Sequence, residues 1–387
     1  MIYLVHPRRL EMLPPLISLA RILRAMGEDV VYLGLICSSE TNRILDEMKI
    51  RYELYPYHPV AFRTSPFRNI GQKLTRRLLP YRKRMWLIKH LCNANLERDI
   101  IWTVEMEGAA ILGDFGLKFG RRHIHSFYEL GDESGSCLWG FNVEAFLHSA
   151  TLIECEYNRA HIFQAEHTLP NTPFVLPNKP YGHPRRRHQV VSNEEAARVV
   201  KAWEGKLVFL YQGALQDDRG DLFVMIESLC RAHPDKVVAV MGRNTPIIQR
   251  LQQKYPNFSH VPFVPPPLHL EVTSHADVGL AYYKGGAVFG LSPLNPVYCA
   301  PNKIYEYSGY GIPILCNDIP GLRYSVGING AGVCISHLNE QRVCESANEI
   351  LTNYTHYSDC ATKMFDSVDL EMRVREILAS ARNQDRR

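Results

Sequence analysis

The ten cysteines of this 387-residue chain form no C-x-x-C pair and follow no regular spacing. A long chain with unpatterned cysteines has buried thiols in a reducing compartment, not a disulfide framework. No apolar run approaches the roughly 18 residues that a bilayer-spanning helix needs. The opening "MIYLVHPRRLEML" lacks the ordered basic, apolar and small-residue regions of a signal peptide and reads as the first strand of a fold. A cytoplasmic location is therefore expected. No G-x-G-x-x-G follows that strand, and Pro7 and Pro14 stand where a dinucleotide fingerprint needs glycines, which argues against an NAD enzyme. No D-x-D motif is set in a loop to hold a divalent ion, and adjacent Asp217 and Asp218 are a poor metal signature alone. No metal is expected.

Acidic residues are missing altogether between Leu54 and Leu96, a segment holding nine basic ones: Arg63, Arg68, Lys73, Arg76, Arg77, Arg82, Lys83, Arg84 and Lys89. The overall charge of +4 is therefore local, since the rest of the chain is slightly acidic. The stretch "IGQKLTRRLLPYRKRMWLIKHL" mixes these cations with leucines, Met85 and Trp86. That is the composition of a helix lying on an anionic membrane surface, with Arg76, Arg77, Arg82, Lys83, Arg84 and Trp86 as its contacts. A solvated basic face on an ordinary helix is the plainer alternative. Pro80 is expected to break or kink the helix. Nucleic acid is not the expected partner.

The remainder alternates strand-like and helix-like patterns. Strands are expected at "MIYLVH", "DVVYLGLIC", 99–105, 122–130, 150–156 and 172–180, and again at 206–215, 236–243, "FSHVPFV", 277–283 and "IPILCND". Amphipathic stretches such as "PPLISLARILRAMGE" and "GDLFVMIESLCRAHP" lie between them. Such alternation implies α/β architecture with parallel sheets. Two Rossmann-like domains facing a central cleft are expected: residues 1–180, and residues 206–367. The polar, proline-bearing 181–205 would be a linker with solvated Arg185, Arg186 and Arg187, and 368–387 a final helix crossing back to the first domain.

Ligands of open α/β sheets sit beyond the carboxyl ends of the strands. In the second half three strand ends run into glycine or small residues: "YQGALQDDRGD", "AVMGRNTP" and "APNKIYEYSGYG". Glycine there lets backbone N–H groups approach an anion. Lys303 places a cation at a helix start, where the dipole alone disfavours it, which suggests a bound anion. Glu306, one turn on, sits among Ile304, Tyr305 and Tyr307; a buried carboxylate needs partners, and vicinal ribose hydroxyls are one choice. A partly exposed helix residue is the other. His6 ends the first strand and could face the cleft. His123 and His125 share a strand face, but no third metal ligand is apparent.

The block "PNKIYEYSGYGIPILCNDIPGLRYSVGINGAGVCI" (301–335) resembles the donor-binding block of GT-B glycosyltransferases, especially the retaining family-four type. "YQGALQDDRGDLFVMIESL", "ADVGLAYY" and "IHSFYELGDE" are similar to further segments of that family. The resemblance implies a transferase that moves a sugar from a nucleotide diphosphate sugar to a hydroxyl acceptor, retaining and without metal or other cofactor. Donor-binding residues would be Gly213, Arg219, Gly242, Asn302, Lys303, Ile304 and Glu306. Catalytic roles would fall to Glu129, Tyr128, Arg219 and Lys303, with His6 on the acceptor. The acceptor would be a saccharide or lipid-linked, as in surface polysaccharide or glycolipid assembly at the inner membrane face. The sequence departs from the family pattern at Tyr298, where a second glutamate is usual, and at Ala214, where an arginine is usual. A nucleotide-sugar epimerase on the same scaffold, and a nucleotide-sugar-binding protein without transfer, are the rival readings.

Overall fold

A computed structural model of the chain describes residues 1–36, 38–56, 68–131, 141–213, 215, 220–284 and 291–383, with 68–78 and 220 by their backbone alone. Two sheets carry the fold. The first has β1 (Ile2–His6), β2 (Val30–Gly34), β3 (Arg51–Leu54), β4 (Ile100–Val104), β5 (His123–Ser126), β6 (Thr151–Glu154) and β7 (Phe174–Val175), in the order β3-β2-β1-β4-β5-β6-β7. The second has β8 (Val208–Gln212), β9 (Val237–Gly242), β10 (Phe258–Pro262), β11 (Val278–Ala281), β12 (Ile314–Asn317) and β13 (Gly332–Ile335), in the order β10-β9-β8-β11-β12-β13. Every ladder pair is parallel. Parallel strands are covered on both faces, so they read as continuous apolar runs; β1, β4, β8, β9 and β12 are buried at every position. Edge strand β3 alternates exposed and half-buried residues, and its "RYEL" carries no such run. It was not expected as a strand, and neither was β13.

The chain divides into two compact units. Unit 1 comprises Met1–Pro177, Phe289–Ser292 and Leu370–Arg387, and unit 2 comprises Asn178–Val288 and Pro293–Asp369. Residues 181–205 are not a linker but part of unit 2. They contain a helix, Glu194–Lys201, capped by the Asn193 side chain, and Val200 and Trp203 enter the core of unit 2. The arginines expected to be solvated are largely anchored. Arg187 donates to the carbonyls of Ser274 and Ala276 and pairs with Asp277 at 3.0 Å. Arg185 donates to the Gly309 carbonyl and to Asp366, over the Phe365 ring. A proline-rich polar stretch hides such anchors because their partners lie far along the chain.

Lys179 makes a related contact. Its ammonium donates to the carbonyls of Phe365 (2.7 Å) and Val368 (2.6 Å), capping the end of the helix Tyr354–Asp366, and lies 4.0 Å over the Phe365 ring. The final helix, Leu370–Arg382, belongs to unit 1, where Arg382 pairs with Glu28 at 2.7 Å.

Pro80 lies inside one helix, Arg68–Leu91, which continues through it. The expected break is absent.

Candidate functional site

In a doubly wound sheet the ligand crevice opens where the strand order reverses. In unit 2 this point lies between β8 and β11. Tyr211 on β8 and Tyr283 just past β11 meet there, and Lys303 is held between them. Its ammonium is 5.0 Å from the centre of each ring and donates to the Tyr283 hydroxyl at 3.0 Å. Attraction to two ring faces orients a cation without neutralising it. Burial pushes the Tyr283 phenol up to about 12 although Lys303 pulls it down, so the phenol stays protonated. Asn317 pins the Tyr283 backbone at both N–H (3.0 Å) and C=O (2.7 Å), which fixes this ring in turn.

Lys303 is the second residue of the helix Asn302–Ser308, with Pro301 as its extended N-cap. The helix has only seven residues, so the positive charge at this strand end is carried by Lys303 more than by a helix dipole. Asn302 is half-buried at the first helical position. Ile304 points into the core at 2 % exposure, so its side chain is no donor contact; only its backbone faces the helix start. Tyr307 anchors the helix, donating to the Leu210 carbonyl at 2.8 Å. The ring presses against Gly279: a Cβ there would stand 2.3 Å from it, so this strand position admits only glycine.

Glu306 is buried as the sequence suggests, but its carboxylate is already satisfied by protein. Gln212 Nε2 donates to it at 2.8 Å, and His269 Nε2 lies 2.9 Å from its other oxygen. Thr273 donates to Gln212 Oε1 at 2.6 Å, which turns the amide so that its NH2 faces Glu306. This network ties the end of β8 and the helix His269–Thr273 to the helix bearing Lys303. Sequence reasoning missed Gln212, His269 and Thr273, and no local pattern marks them. A carboxylate has about four acceptor positions, so these two bonds do not exhaust it.

Gly213 follows β8 with φ +142°, a conformation that favours glycine, and its Cβ position lies 3.3 Å from the Tyr211 hydroxyl. Gly242 ends β9, and its carbonyl lies 2.9 Å from His260 Nε2. Arg219 and Ala214 lie outside the described residues. Tyr298 is half-buried, with its N–H donating to the Leu294 carbonyl.

In unit 1 several expected site residues are turned inward. His6 is 1 % exposed, lies 3.0 Å from the Tyr32 hydroxyl and is pushed down to about 3 by burial, so it is a neutral core histidine and not an open acceptor contact. Tyr128 is buried with its phenol held well above the ordinary value by desolvation, which removes it as an acid or base. Glu129 is exposed beside it. Thr103 bridges His123 Nε2 (2.8 Å) and His125 Nδ1 (2.6 Å); burial holds both rings neutral, His123 at about 4. Among the described residues no three metal-binding side chains converge.

The basic segment is also partly structural. Arg84 donates to the carbonyls of Ala110 (3.0 Å) and Ile111 (2.9 Å), capping the helix Glu105–Leu112. Trp86 packs on Tyr55 and His90 against the core, and Lys83 is half-buried with its ammonium lowered by desolvation. Arg84 and Trp86 are thus engaged by their own fold, and Lys83 is only half-exposed. Arg82 is exposed, with Tyr81 and Met85 at 51 % and 64 %. The side chains of Arg76 and Arg77 lie outside the described residues. Among the described residues no helix is long and apolar enough to cross a membrane.

No family model matches the sequence, and neither does any curated protein. Solved structures do match, over nearly the whole chain. HepE from Anabaena in complex with UDP-glucose superposes with a TM-score of 0.66 at 11 % identity, covering 98 % of this chain and 99 % of HepE. WaaG, a glycosyltransferase involved in lipopolysaccharide biosynthesis, matches at 0.58 and 14 % identity over 100 % of both chains. A UDP-N-acetylglucosamine 2-epimerase candidate from Listeria monocytogenes matches at 0.55 and 12 % identity, over 98 % of this chain and 94 % of its own. The shared feature is architecture, and two chemistries use it. With its paired sheets of seven and six parallel strands, this chain has the GT-B fold of two Rossmann-like units.

Proposed function

We propose that the chain is a glycosyltransferase that moves a sugar from a nucleotide diphosphate sugar to a hydroxyl acceptor, with unit 2 binding the donor. The observation that carries this reading is the Lys303 ammonium clamped by Tyr211 and Tyr283 at the reversal point of the unit 2 sheet, one helical turn from Glu306. A fixed cation at a strand end suits a diphosphate, and a carboxylate one turn on suits the hydroxyls of a ribose. HepE, crystallised with UDP-glucose, supports a uridine nucleotide as the first donor to test.

Charge builds on the diphosphate as the bond from the sugar C1 to its oxygen breaks. Lys303 is positioned by its ring contacts before that charge appears, which is the condition for transition-state stabilisation. The reaction in this reading is retaining, from the resemblance of the 301–335 block, and runs on Lys303 without a divalent ion. A lipid-linked or saccharide acceptor in surface polysaccharide or glycolipid assembly fits the likeness to WaaG. The exposed part of the helix Arg68–Leu91, around Arg82 and Met85, would be the surface that meets an anionic membrane.

A thermal-shift panel of UDP- and GDP-sugars on wild type, Lys303→Ala and Glu306→Gln tests the reading. One nucleotide sugar stabilises wild type, and Lys303→Ala loses most of that shift. Glu306→Gln keeps the shape of the network and weakens the shift. Chelation of divalent ions leaves turnover unchanged. If Lys303→Ala keeps the full shift, the donor site is elsewhere. Consumption of donor without acceptor and without free sugar points to epimerisation.

A further inference from the structure

Strand β13 forms one edge of the unit 2 sheet and pairs with β12. Cys316 on β12 and Cys334 on β13 are register partners, so their side chains leave the same face of the sheet. Both are free thiols, and their sulfurs lie 3.5 Å apart in a hydrogen bond. Neighbouring strands run about 4.8 Å apart, inside the Cα separation of roughly 4.4–6.8 Å that a disulfide spans. The strands therefore permit a bridge, but the sulfurs must still close by about 1.5 Å to bond. Cys316 is fully buried in the unit 2 core, where close packing leaves its side chain little room to swing. Part of the closure then falls on its backbone and on the next residue, Asn317.

The two sulfurs are not equivalent. Cys316 is shut away from solvent, whereas Cys334 is half-buried on the edge strand. A Cβ at Gly327 would stand 3.3 Å from the Cys334 sulfur, and Gly327 is itself exposed, so glycine there leaves an approach to that sulfur uncovered. The hydrogen bond from Cys316 pulls the Cys334 thiol below its ordinary value, with help from Arg323 and the Gly327 backbone, against burial and Asp318. An accessible, more acidic thiol beside a second, buried one is the arrangement of a redox-sensing cysteine and its resolving partner. In a reducing compartment a disulfide of this kind is transient.

The position of Asn317 gives that bond a consequence. Its side chain holds the Tyr283 N–H at 3.0 Å and the Tyr283 C=O at 2.7 Å, and the Tyr283 hydroxyl accepts from Lys303. Beyond about 3.5 Å neither contact to Asn317 is a hydrogen bond. We propose that Cys316 and Cys334 are a redox switch: hydrogen peroxide joins them as a disulfide, and the disulfide loosens the hold of Asn317 on Tyr283 and with it the Lys303 clamp. In the first step the Cys334 thiolate attacks the peroxide. An S–O bond forms, the O–O bond breaks, and the leaving hydroxide takes up a proton as water. In the second step the Cys316 sulfur attacks the Cys334 sulfenic acid. The S–S bond forms, the S–O bond breaks, and the hydroxyl leaves with the Cys316 proton as a second water. Two electrons pass from the sulfurs to the peroxide, and a reducing dithiol returns them. The effect on donor binding rests on the glycosyltransferase reading above; the bond and the release of Tyr283 do not.

The test treats the full chain, as wild type, Cys334→Ser and Cys316→Ala, with hydrogen peroxide and then with dithiothreitol. Peptide mass spectrometry after alkylation reads the bond, and amide hydrogen exchange in peptides covering β11 and Tyr283 reads the release. In wild type, peroxide yields a peptide pair joined through Cys316 and Cys334. Exchange at Tyr283 becomes at least tenfold faster, the thermal shift given by the stabilising nucleotide sugar falls by at least half, and dithiothreitol restores both. Neither variant responds to peroxide. Peroxide that leaves wild type without the 316–334 bond overturns the inference, and this outcome needs no variant to fold. So does a bond with unchanged exchange at Tyr283, or a peroxide response that persists in Cys334→Ser. A reduced wild type that no nucleotide sugar stabilises removes the glycosyltransferase reading, while the bond and the exchange rate still decide the switch, so the two failures are told apart.

Discussion

Replacing Glu154 with glutamine should remove a pH dependence from the stability of unit 1. In the folded chain burial lifts this carboxyl from 4.5 to about 8, against the opposing pull of Arg159. In the unfolded chain it titrates as an ordinary glutamate. Between the two values the folded state holds more protons than the unfolded one, so stability falls as pH rises. The contribution is fully present below about pH 4.5 and lost as pH climbs through about 8. The full span is worth about 5 kcal/mol, at about 1.4 kcal/mol per pH unit. Wild type alone would not display it cleanly. His6 and His123, held down to about 3 and about 4, have the opposite slope: they gain stability as pH rises towards 6.5. The difference between Glu154→Gln and wild type cancels the histidines. The two proteins should be nearly equally stable at pH 5, and the variant should lead by several kcal/mol at pH 8.5, because glutamine never charges. A two-unit chain need not unfold in one step. Amide hydrogen exchange in peptides covering β4 to β6 is therefore the assay. A stability difference that stays constant from pH 5 to 8.5 would refute the buried carboxyl as described.

Gly279→Ala drives a Cβ into the Tyr307 ring, which is fully buried and tied to Leu210. It should cost about 3 kcal/mol or more in denaturant unfolding, and a loss under about 1 kcal/mol would mean that the ring can move. Arg84→Gln removes two charged hydrogen bonds to the end of the helix Glu105–Leu112. It should cost about 1–3 kcal/mol and leave flotation with anionic liposomes unchanged, whereas weakened flotation would return Arg84 to the membrane face. Cys316 and Cys334 pair across β12 and β13 with sulfurs 3.5 Å apart. The hydrogen bond between them lowers the Cys334 thiol and raises that of Cys316. Iodoacetamide followed by peptide mass spectrometry should find Cys334 modified well before Cys316, and the reverse order would contradict the assignment.

The alternation of strands and helices was legible because buried parallel strands announce themselves as short apolar runs between glycine-ended loops. Lys303 and Glu306 were legible for a different reason: a cation at a helix start and a carboxylate among tyrosines both violate local preference. What held Glu306 was not legible. Gln212, His269 and Thr273 come from β8 and a five-residue helix, and only the folded sheet brings them together. The basic segment misled because composition does not tell which cations turn inward; Arg84 finds carbonyls 26 and 27 residues away. His6 looked like a cleft residue by position alone, but Tyr32, two residues before its partner Gly34 on the adjacent strand, claims the ring.

Lys179 has a consequence for modular exchange. Along the chain, unit 2 is entered at Asn178 and left for the last time at Asp369, with one short return to unit 1 at Phe289–Ser292. Lys179 is one residue inside the first boundary, and Val368, which its ammonium grips at 2.6 Å, is one residue inside the second. The two ends of the inserted unit are thus already held together by its own side chain. A segment whose ends meet can be replaced by another of like ends without changing how far apart its host must hold the cut points. A replacement at these two points must therefore bring its own clasp, and must also supply the short stretch that unit 1 takes from within the segment.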